Sequence, residues 1–296
     1  EVRYRGEAIL ALVGSRAAVD AIVSEELPIT WEAKPPVIGI KAATMPDAIA
    51  VHATRSDNLL VHGHVESGEV NSAFAESAFV ASGTIHTSFV EHAYIEPEAG
   101  YACPLVDGRI EIGGCTQTPY MDRDEAARVS GMTPEQIRIV PTACGGGFGG
   151  KLDAFVQPLL AVAARALKRP VRTVFNRIES MASSTKRHPA CMRGKIGVDT
   201  DGYIMAYESH ADFNTGAYAS WGPTVASRVP VHAAGPYSIR NVRNKSRAVY
   251  TNETPAGAFR GFGVPQAALL NERLMDEVAM QVGMDRWELR YRNAFR

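Results

Sequence analysis

Residues 144–151 read CGGGFGGK: five glycines bracket Phe148 and a lysine closes the run. Glycines at this density leave backbone N–H groups bare, and bare N–H groups between a strand and a helix attract anions such as phosphate. Two phosphate templates can be laid on the run. A P-loop needs Ser or Thr after its Gly-Lys pair to hold magnesium, and Gly150-Lys151 is followed by Leu152. A dinucleotide fingerprint is met in spacing by Gly145, Gly147 and Gly150. It also needs an acid about 20 positions on, where Pro170 stands, and the next acid, Glu179, follows no clear strand end. The plain alternative is a glycine turn packed tightly against neighbouring chain.

A second cluster, GAFRGFGVPQA at 257–267, again sets a cation and aromatics among glycines. Arg260 there can offer a planar fork to a phosphate, a carboxylate or a metal-bound oxygen. Two such clusters in one chain are harder to explain as chance turns than either alone.

Other reactive side chains support less. His86, Glu91, His92 and Glu96 could suggest zinc, but the spacing H-E-x-x-H is absent and Pro97 would stop any helix carrying His92 and Glu96. Glu91 and Glu96 are expected instead to lie under the glycine loop as buried polar groups in need of hydrogen-bond partners. His188, beside Pro189, is expected to be structural. Cys144 has no matched histidine in its motif and is expected to be a small buried hydrophobe. Trp221 fits a core position and a substrate cage equally well.

Elements must hold these residues. RIEIGGC (109–115) and RIVPTAC (138–144) read as strands flanking a polar helix at 121–131 that stops at Gly131. FVQPLLAVAARALKRP (155–170) reads as a packed helix, which puts the glycine loop between a strand and a helix. Upstream, AILALVG (8–14) is expected as a short buried strand and residues 15–27 as a helix capped by Ser15. Pro35-Pro36 marks a linker near residues 35–40. Downstream, alternation about Asp201-Gly202 predicts a hairpin, and residues 266–293 predict a long amphipathic helix broken near Gly283 with a shorter one after Asp285.

The totals narrow the function classes. Of 296 residues 46% are hydrophobic, and 31 basic side chains balance 32 acidic ones, so no field collects nucleic acid or an anionic membrane. Four cysteines without C-x-x-C spacing support no zinc knuckle or cysteine-ligated cluster in this chain and suit reduced thiols in the cytoplasm. No apolar run approaches the roughly 20 residues of a membrane span. The chain opens on Glu1 without a methionine, so its ends are expected to be cuts in something larger.

Four stretches in this order, FVEHAYIEPEAGYA (89–102), the Thr116-Gln117 pair before a helix, GGGFGGK (145–151) and AFRGFGVPQ (258–266), together resemble one family. It is the large molybdenum-binding subunit of the xanthine dehydrogenase and aldehyde oxidoreductase family, the molybdenum hydroxylases. The resemblance implies an α+β chain in which residues 1–38 are the tail of an α/β hammerhead domain. Residues 39–296 would then be the first, mixed α/β molybdopterin-binding domain. The second such domain, with the general-base glutamate, would lie beyond Arg296, leaving this chain without a catalytic acid–base residue and inactive by itself.

The resemblance also implies roles. The Gly149 amide would donate to an oxygen on molybdenum, with Phe148 beside the metal, Gly147 shaping the loop, and Val90, Gln117 and Arg260 at the cofactor. No side chain would ligate the metal directly. Phe262 would stack on the substrate ring and Arg228 would anchor its polar edge. The implied reaction is hydroxylation of an electron-poor carbon of an N-heteroaromatic, xanthine- or nicotinate-like substrate, with water as the oxygen source. The implied cofactor is molybdopterin in its cytosine dinucleotide form with molybdenum, passing electrons to [2Fe-2S] clusters and FAD on partner subunits or domains. Leu152 stands where xanthine-oxidising members carry a purine-contacting glutamate, and Val90 where they carry a glutamine. The first departure weakens a strict xanthine assignment and the second resembles nicotinate dehydrogenase-like and selenium-containing bacterial hydroxylases. The motifs therefore lie nearest nicotinate dehydrogenase-like and bacterial xanthine dehydrogenase-like members. An aldehyde oxidoreductase, a scaffold subunit without molybdenum and a P-loop nucleotide binder are the rival readings.

Overall fold

The computed structural model describes residues 1–296. In chain order the elements are α1 (Arg16–Asp20), α2 (Gly39–Ala43), β1 (Leu59–Ser67), α3 (Val70–Glu76), β2 (Phe79–Thr87), β3 (Ala99–Pro104), β4 (Ile110–Gly114), α4 (Pro119–Ser130), β5 (Ile137–Pro141), α5 (Gln157–Leu167), β6 (Val171–Val174), α6 (Arg177–Ser183), β7 (Ala190–Val198), β8 (Ile204–Gly216), α7 (Gly222–His232), β9 (Asn241–Tyr250), α8 (Val264–Val282) and α9 (Arg286–Asn293). They form two compact units, each discontinuous in sequence: Glu1–Pro36 with His92–Ser184, and Val37–Glu91 with Thr185–Arg296. The fold is mixed α/β, and none of its helices is long and apolar enough to cross a membrane.

The unit containing the glycine loop is built on a four-stranded sheet in the order β5-β4-β3-β6. β4 and β5 run parallel, as the expected strand–helix–strand unit requires, and α4 makes the crossover. The small side chains Ala126, Ala127, Ala161 and Ala164 let α4 and α5 approach closely over Ile110, Ile112 and Ile137. Gly131 ends α4 in the left-handed region at φ 66°, a conformation that only glycine adopts freely.

Asp122 of α4 is buried, and its Oδ2 accepts from Nε2 of Gln157, the first residue of α5, at 3.1 Å. Burial pushes its carboxyl up to about 6, with Asp153 adding to the rise and a Thr116 hydrogen bond opposing it. A carboxyl raised in the folded state binds its proton more tightly there, so stability falls as pH rises from about 4 to 6. Asp122→Asn is therefore expected to stabilise the protein by about 1 kcal/mol at pH 7.5 and to change little at pH 4. Thermal unfolding at the two pH values checks this, and equal shifts at both would sink it.

The other unit is built on a five-stranded sheet, β1-β9-β8-β7-β2, antiparallel except for β8 and β9. The expected hairpin joins β7 to β8, with Gly202 at φ 82°. Leu270 and Leu274 of α8 lie against Gly194 of β7, where a Cβ would stand 2.8 Å from Leu274 Cδ1. Gly283 closes α8 at φ 74°, and Asp285 caps α9 by accepting from the Trp287 and Glu288 amides.

The N-terminal expectations change. Residues 8–14 form no strand and are exposed, because no neighbouring strand pairs with them. Ser15 does cap a helix, accepting from Ala18 N, but only Arg16–Asp20 is helical, followed by a 3-10 turn at Ser24–Glu26. Val19 in the helix and Ile22 and Val23 after it are exposed, and a short helix without a packing surface is marginal in water.

Candidate functional site

The glycine loop is fitted to its own unit at almost every glycine. A Cβ on Gly145 would lie 2.5 Å from Glu96 Cβ, on Gly146 2.8 Å from Tyr94 Cβ, on Gly147 2.6 Å from Gln117 Oε1 and on Gly150 2.7 Å from Tyr94 Cε1. The stretch 94–98 is thus the floor of the loop. Tyr94 is buried and its hydroxyl donates to Glu98, while Glu96 Oε2 accepts from Gly145 N at 2.6 Å. Glu96 thereby finds the partner that the sequence reading required. Packing explains these four glycines without any ligand.

Gln117 brackets the loop from the other side. Its Oε1 accepts from Gly149 N at 3.0 Å and from Lys151 N at 3.2 Å, and its own backbone N–H donates to Lys151 O at 3.1 Å. The Gly149 amide is therefore donated inward here. The N–H groups of Gly146, Gly147 and Phe148 donate to no atom of the chain. Three successive amides without an internal acceptor are a ready donor set for an anionic oxygen. Leu152 closes the turn, its N–H donating to Gly149 O at 3.2 Å and its carbonyl accepting from Thr118 Oγ1.

Phe148 is half exposed and has φ 54°, with Gly149 following at φ 105°. The second cluster repeats the device: Gly261 at 95°, Phe262 at 47° and Gly263 at 86°. A bulky residue in the left-handed region is strained by about 1–2 kcal/mol, and such strain gathers at functional loops. Neither phenylalanine's conformation can be read from the motif letters alone.

Lys151 overturns the P-loop reading. It is buried, donating Nζ to Pro97 O at 3.2 Å and standing 4.6 Å from the centre of the Tyr94 ring, whereas a P-loop lysine must reach out to phosphates. The following helix also begins only at Gln157. Cys144 corrects another expectation: it is exposed, and it is Cys115 that is buried, because the chain has left the sheet edge by residue 144.

The remaining candidates belong to the other unit. Phe262 meets Trp221 edge-on at 6.0 Å between ring centres, and the Arg228 guanidinium lies 5.8 Å from the Phe262 ring. The fold thus brings Arg228 and Phe262 together and adds Trp221, which precedes α7 as its N-terminal cap residue. An open groove of about 510 Å³ runs along α7, with Arg228 among Pro223, Thr224, Ser227, Val231 and His232. Arg260 is exposed, and its guanidinium has no partner in the chain.

Arg187, which the sequence reading passed over, holds this second loop. Its Nη2 donates to Arg260 O at 2.9 Å, its Nη1 donates to Gln266 Oε1 at 3.3 Å, and its guanidinium lies 3.9 Å over the Phe259 ring. Its backbone N–H donates to Val90 O at 2.9 Å, so exposed Val90 is fixed to the same support. Beside it Lys186 pairs with Glu91 at 2.7 Å, both nearly buried. His188 is structural, as expected: fully buried against Thr215 Oγ1, it is lowered to about 3 by burial and by Arg187 and stays neutral. No local pattern announces Arg187, since its partners lie more than 70 residues away.

Comparison with known proteins adds a family. The molybdopterin cofactor-binding domain family matches residues 51–294. The chain is 37% identical over 294 residues to the nicotinate dehydrogenase large molybdopterin subunit of Eubacterium barkeri, covering 99% of this chain and 69% of that protein. It is 35% identical to a probable xanthine dehydrogenase component of Bacillus subtilis, covering 99% of this chain but 39% of that one. The aldehyde oxidoreductase structure from Desulfovibrio gigas superposes with a TM-score of 0.84 at 32% identity, over 90% of this chain and 29% of that one. The chain thus spans only part of each relative's length.

Proposed function

Since the chain belongs to the molybdenum hydroxylase family, matching its large molybdopterin-binding subunit, we propose that it serves a hydroxylase acting on an electron-poor carbon of an N-heteroaromatic, nicotinate-like substrate. Residues 1–38 are assigned to the tail of a hammerhead domain and 39–296 to the first molybdopterin-binding domain. The general-base glutamate is assigned to sequence beyond Arg296, and the [2Fe-2S] clusters and FAD to partner subunits or domains.

The donor set of the glycine loop fits the cofactor. Free amides at Gly146, Gly147 and Phe148 can meet anionic oxygens, and Gln117 holds the turn in place. When bound, molybdopterin, here assigned its cytosine dinucleotide form, supplies the metal and the two-electron chemistry. The unpaired Arg260 guanidinium supplies a fixed charge for a cofactor oxygen, on a loop that Arg187 anchors. Gly149 joins the donors only where Gln117 releases its amide.

The observation that carries the substrate class is the grouping of Arg228, Phe262 and Trp221. A guanidinium suits a carboxylate or carbonyl edge, and two rings suit an aromatic face. Leu152 places no carboxylate on the glycine loop, which favours a nicotinate-like ring over a purine. Arg228→Ala in the complete enzyme is expected to raise KM for an anionic heterocycle about tenfold or more while leaving a neutral aldehyde within about twofold. Equal loss on both would remove Arg228 from substrate reading and favour an aldehyde oxidoreductase. Elemental analysis of the complete complex is expected to find roughly one molybdenum per large subunit, and its absence would leave a scaffold.

A further inference from the structure

The thiols of Cys115 and Cys144 face each other with their Sγ atoms 3.3 Å apart. The sheet sets this approach. Cys115 directly follows β4, Cys144 lies three residues past β5, and the two strands are parallel neighbours with Gly114 beside Pro141. Thr142 N donates to Gly114 O at 3.1 Å and carries the pairing past the strand end. All four cysteines are free thiols, and the Cys115–Cys144 pair is the one in contact.

The partners differ in access. Cys144 is exposed and Cys115 is buried. Burial, reinforced by the Cys144 hydrogen bond, pushes the Cys115 thiol up to about 12, so Cys115 keeps its proton and donates it toward Cys144 Sγ. An exposed sulfur that accepts an S–H, with a protected second sulfur behind it, has the arrangement of an attacking and a resolving thiol. Both flank the glycine loop: Cys144 precedes Gly145, and Cys115 stands two residues before Gln117.

We propose that Cys115 and Cys144 form a reversible redox pair that a low-molecular-weight disulfide closes. The Cys144 sulfur attacks one sulfur of the small disulfide, the small S–S bond breaks, and one small thiol leaves with the Cys144 proton. The Cys115 sulfur then attacks Cys144 Sγ, breaks the mixed disulfide and expels the second small thiol, which takes the Cys115 proton. Two protein thiols are oxidised and one disulfide is reduced to two thiols. The sulfurs must close from 3.3 Å to about 2.05 Å. The new bond ties the loop's entry to the end of β4, which adds a covalent restraint to the hydrogen bonds at Gln117 and Glu96. The pair rests on the sheet geometry, the sulfur contact and the unequal exposure of the two thiols, and goes beyond the cofactor reading.

The test equilibrates the complete complex with graded ratios of reduced to oxidised glutathione, quenches with acid, alkylates and digests it. The expected result is a linked peptide pair holding Cys115 and Cys144, about 2 Da lighter than the two reduced peptides together, with two thiols lost per chain and restored by dithiothreitol. Cys144→Ser should abolish the linked pair and leave Cys115 reduced. Three results would overturn the proposal: both thiols alkylated in fully oxidised buffer, a lasting glutathione adduct on Cys144 beside a reduced Cys115, or a link from Cys115 to another cysteine. Molybdenum measured on the same samples keeps the readings apart, because a disulfide in a molybdenum-free protein would sink the cofactor reading and leave the redox pair standing.

Discussion

Gly146→Ala is expected to destabilise the glycine loop by about 2–4 kcal/mol and to lower the molybdenum content of the complete enzyme by more than tenfold. Gly146 has φ 116°, which an alanine adopts only under strain, and its added Cβ would meet Tyr94 Cβ at 2.8 Å and Tyr94 Cα at 3.4 Å. Those atoms sit at the root of a buried side chain and cannot rotate away. Relief would require the loop to lift off the 94–98 floor, which would move the free amides of Gly146, Gly147 and Phe148. Gly108→Ala provides the comparison: its φ is 86°, but nothing lies within 4 Å of the added Cβ, so only backbone strain of about 1 kcal/mol is expected. Thermal unfolding and molybdenum content of both variants check the argument. Equal losses in the two would mean that close packing against Tyr94 contributes nothing, and normal molybdenum in Gly146→Ala would separate the loop from the cofactor.

Acid should unfold the protein partly through Asp212. This nearly buried carboxylate on β8 accepts from Arg247 Nε at 2.5 Å and pairs with His210 Nε2 at 2.9 Å, with Arg193 at 3.8 Å. Burial alone would raise its carboxyl, but the hydrogen bonds and charges of His210 and Arg247 outweigh burial and bring it to about 2. A carboxylate depressed from its ordinary 3.8 contributes stability that is present above pH 4 and is lost as pH falls toward 2. The difference corresponds to about 2 kcal/mol. Asp212→Asn is expected to lower stability by about that amount at pH 7 and to flatten the dependence between pH 4 and 2. Denaturant unfolding at pH 7, 4 and 2 measures both effects. An unchanged acid slope in the variant would show that Asp212 is not the group being titrated.

The local signals were legible because they are written in neighbouring residues. The strand–helix–strand unit of β4, α4 and β5, the stop at Gly131, the hairpin at Gly202 and the break at Gly283 each depend on residues a few positions apart. The same holds for the two glycine clusters and for the family resemblance, which rests on contiguous motifs. The 8–14 strand failed and the 15–27 helix shrank to Arg16–Asp20 because an apolar pattern announces a face without supplying a surface to cover it.

By itself, then, the sequence determined the mixed α/β class, the molybdenum hydroxylase family and the two glycine clusters. Tertiary structure alone decided what those residues touch. It turned Lys151 inward onto Pro97, donated the Gly149 amide to Gln117 and put Phe148 and Phe262 in the left-handed region. It also seated the Arg260 loop on Arg187 and brought Cys144 to Cys115. Each of these contacts joins residues tens of positions apart or a backbone angle fixed by such contacts. Hydrogen-bond direction and side-chain exposure depend on distance in space, and only folding converts separation along the chain into that distance.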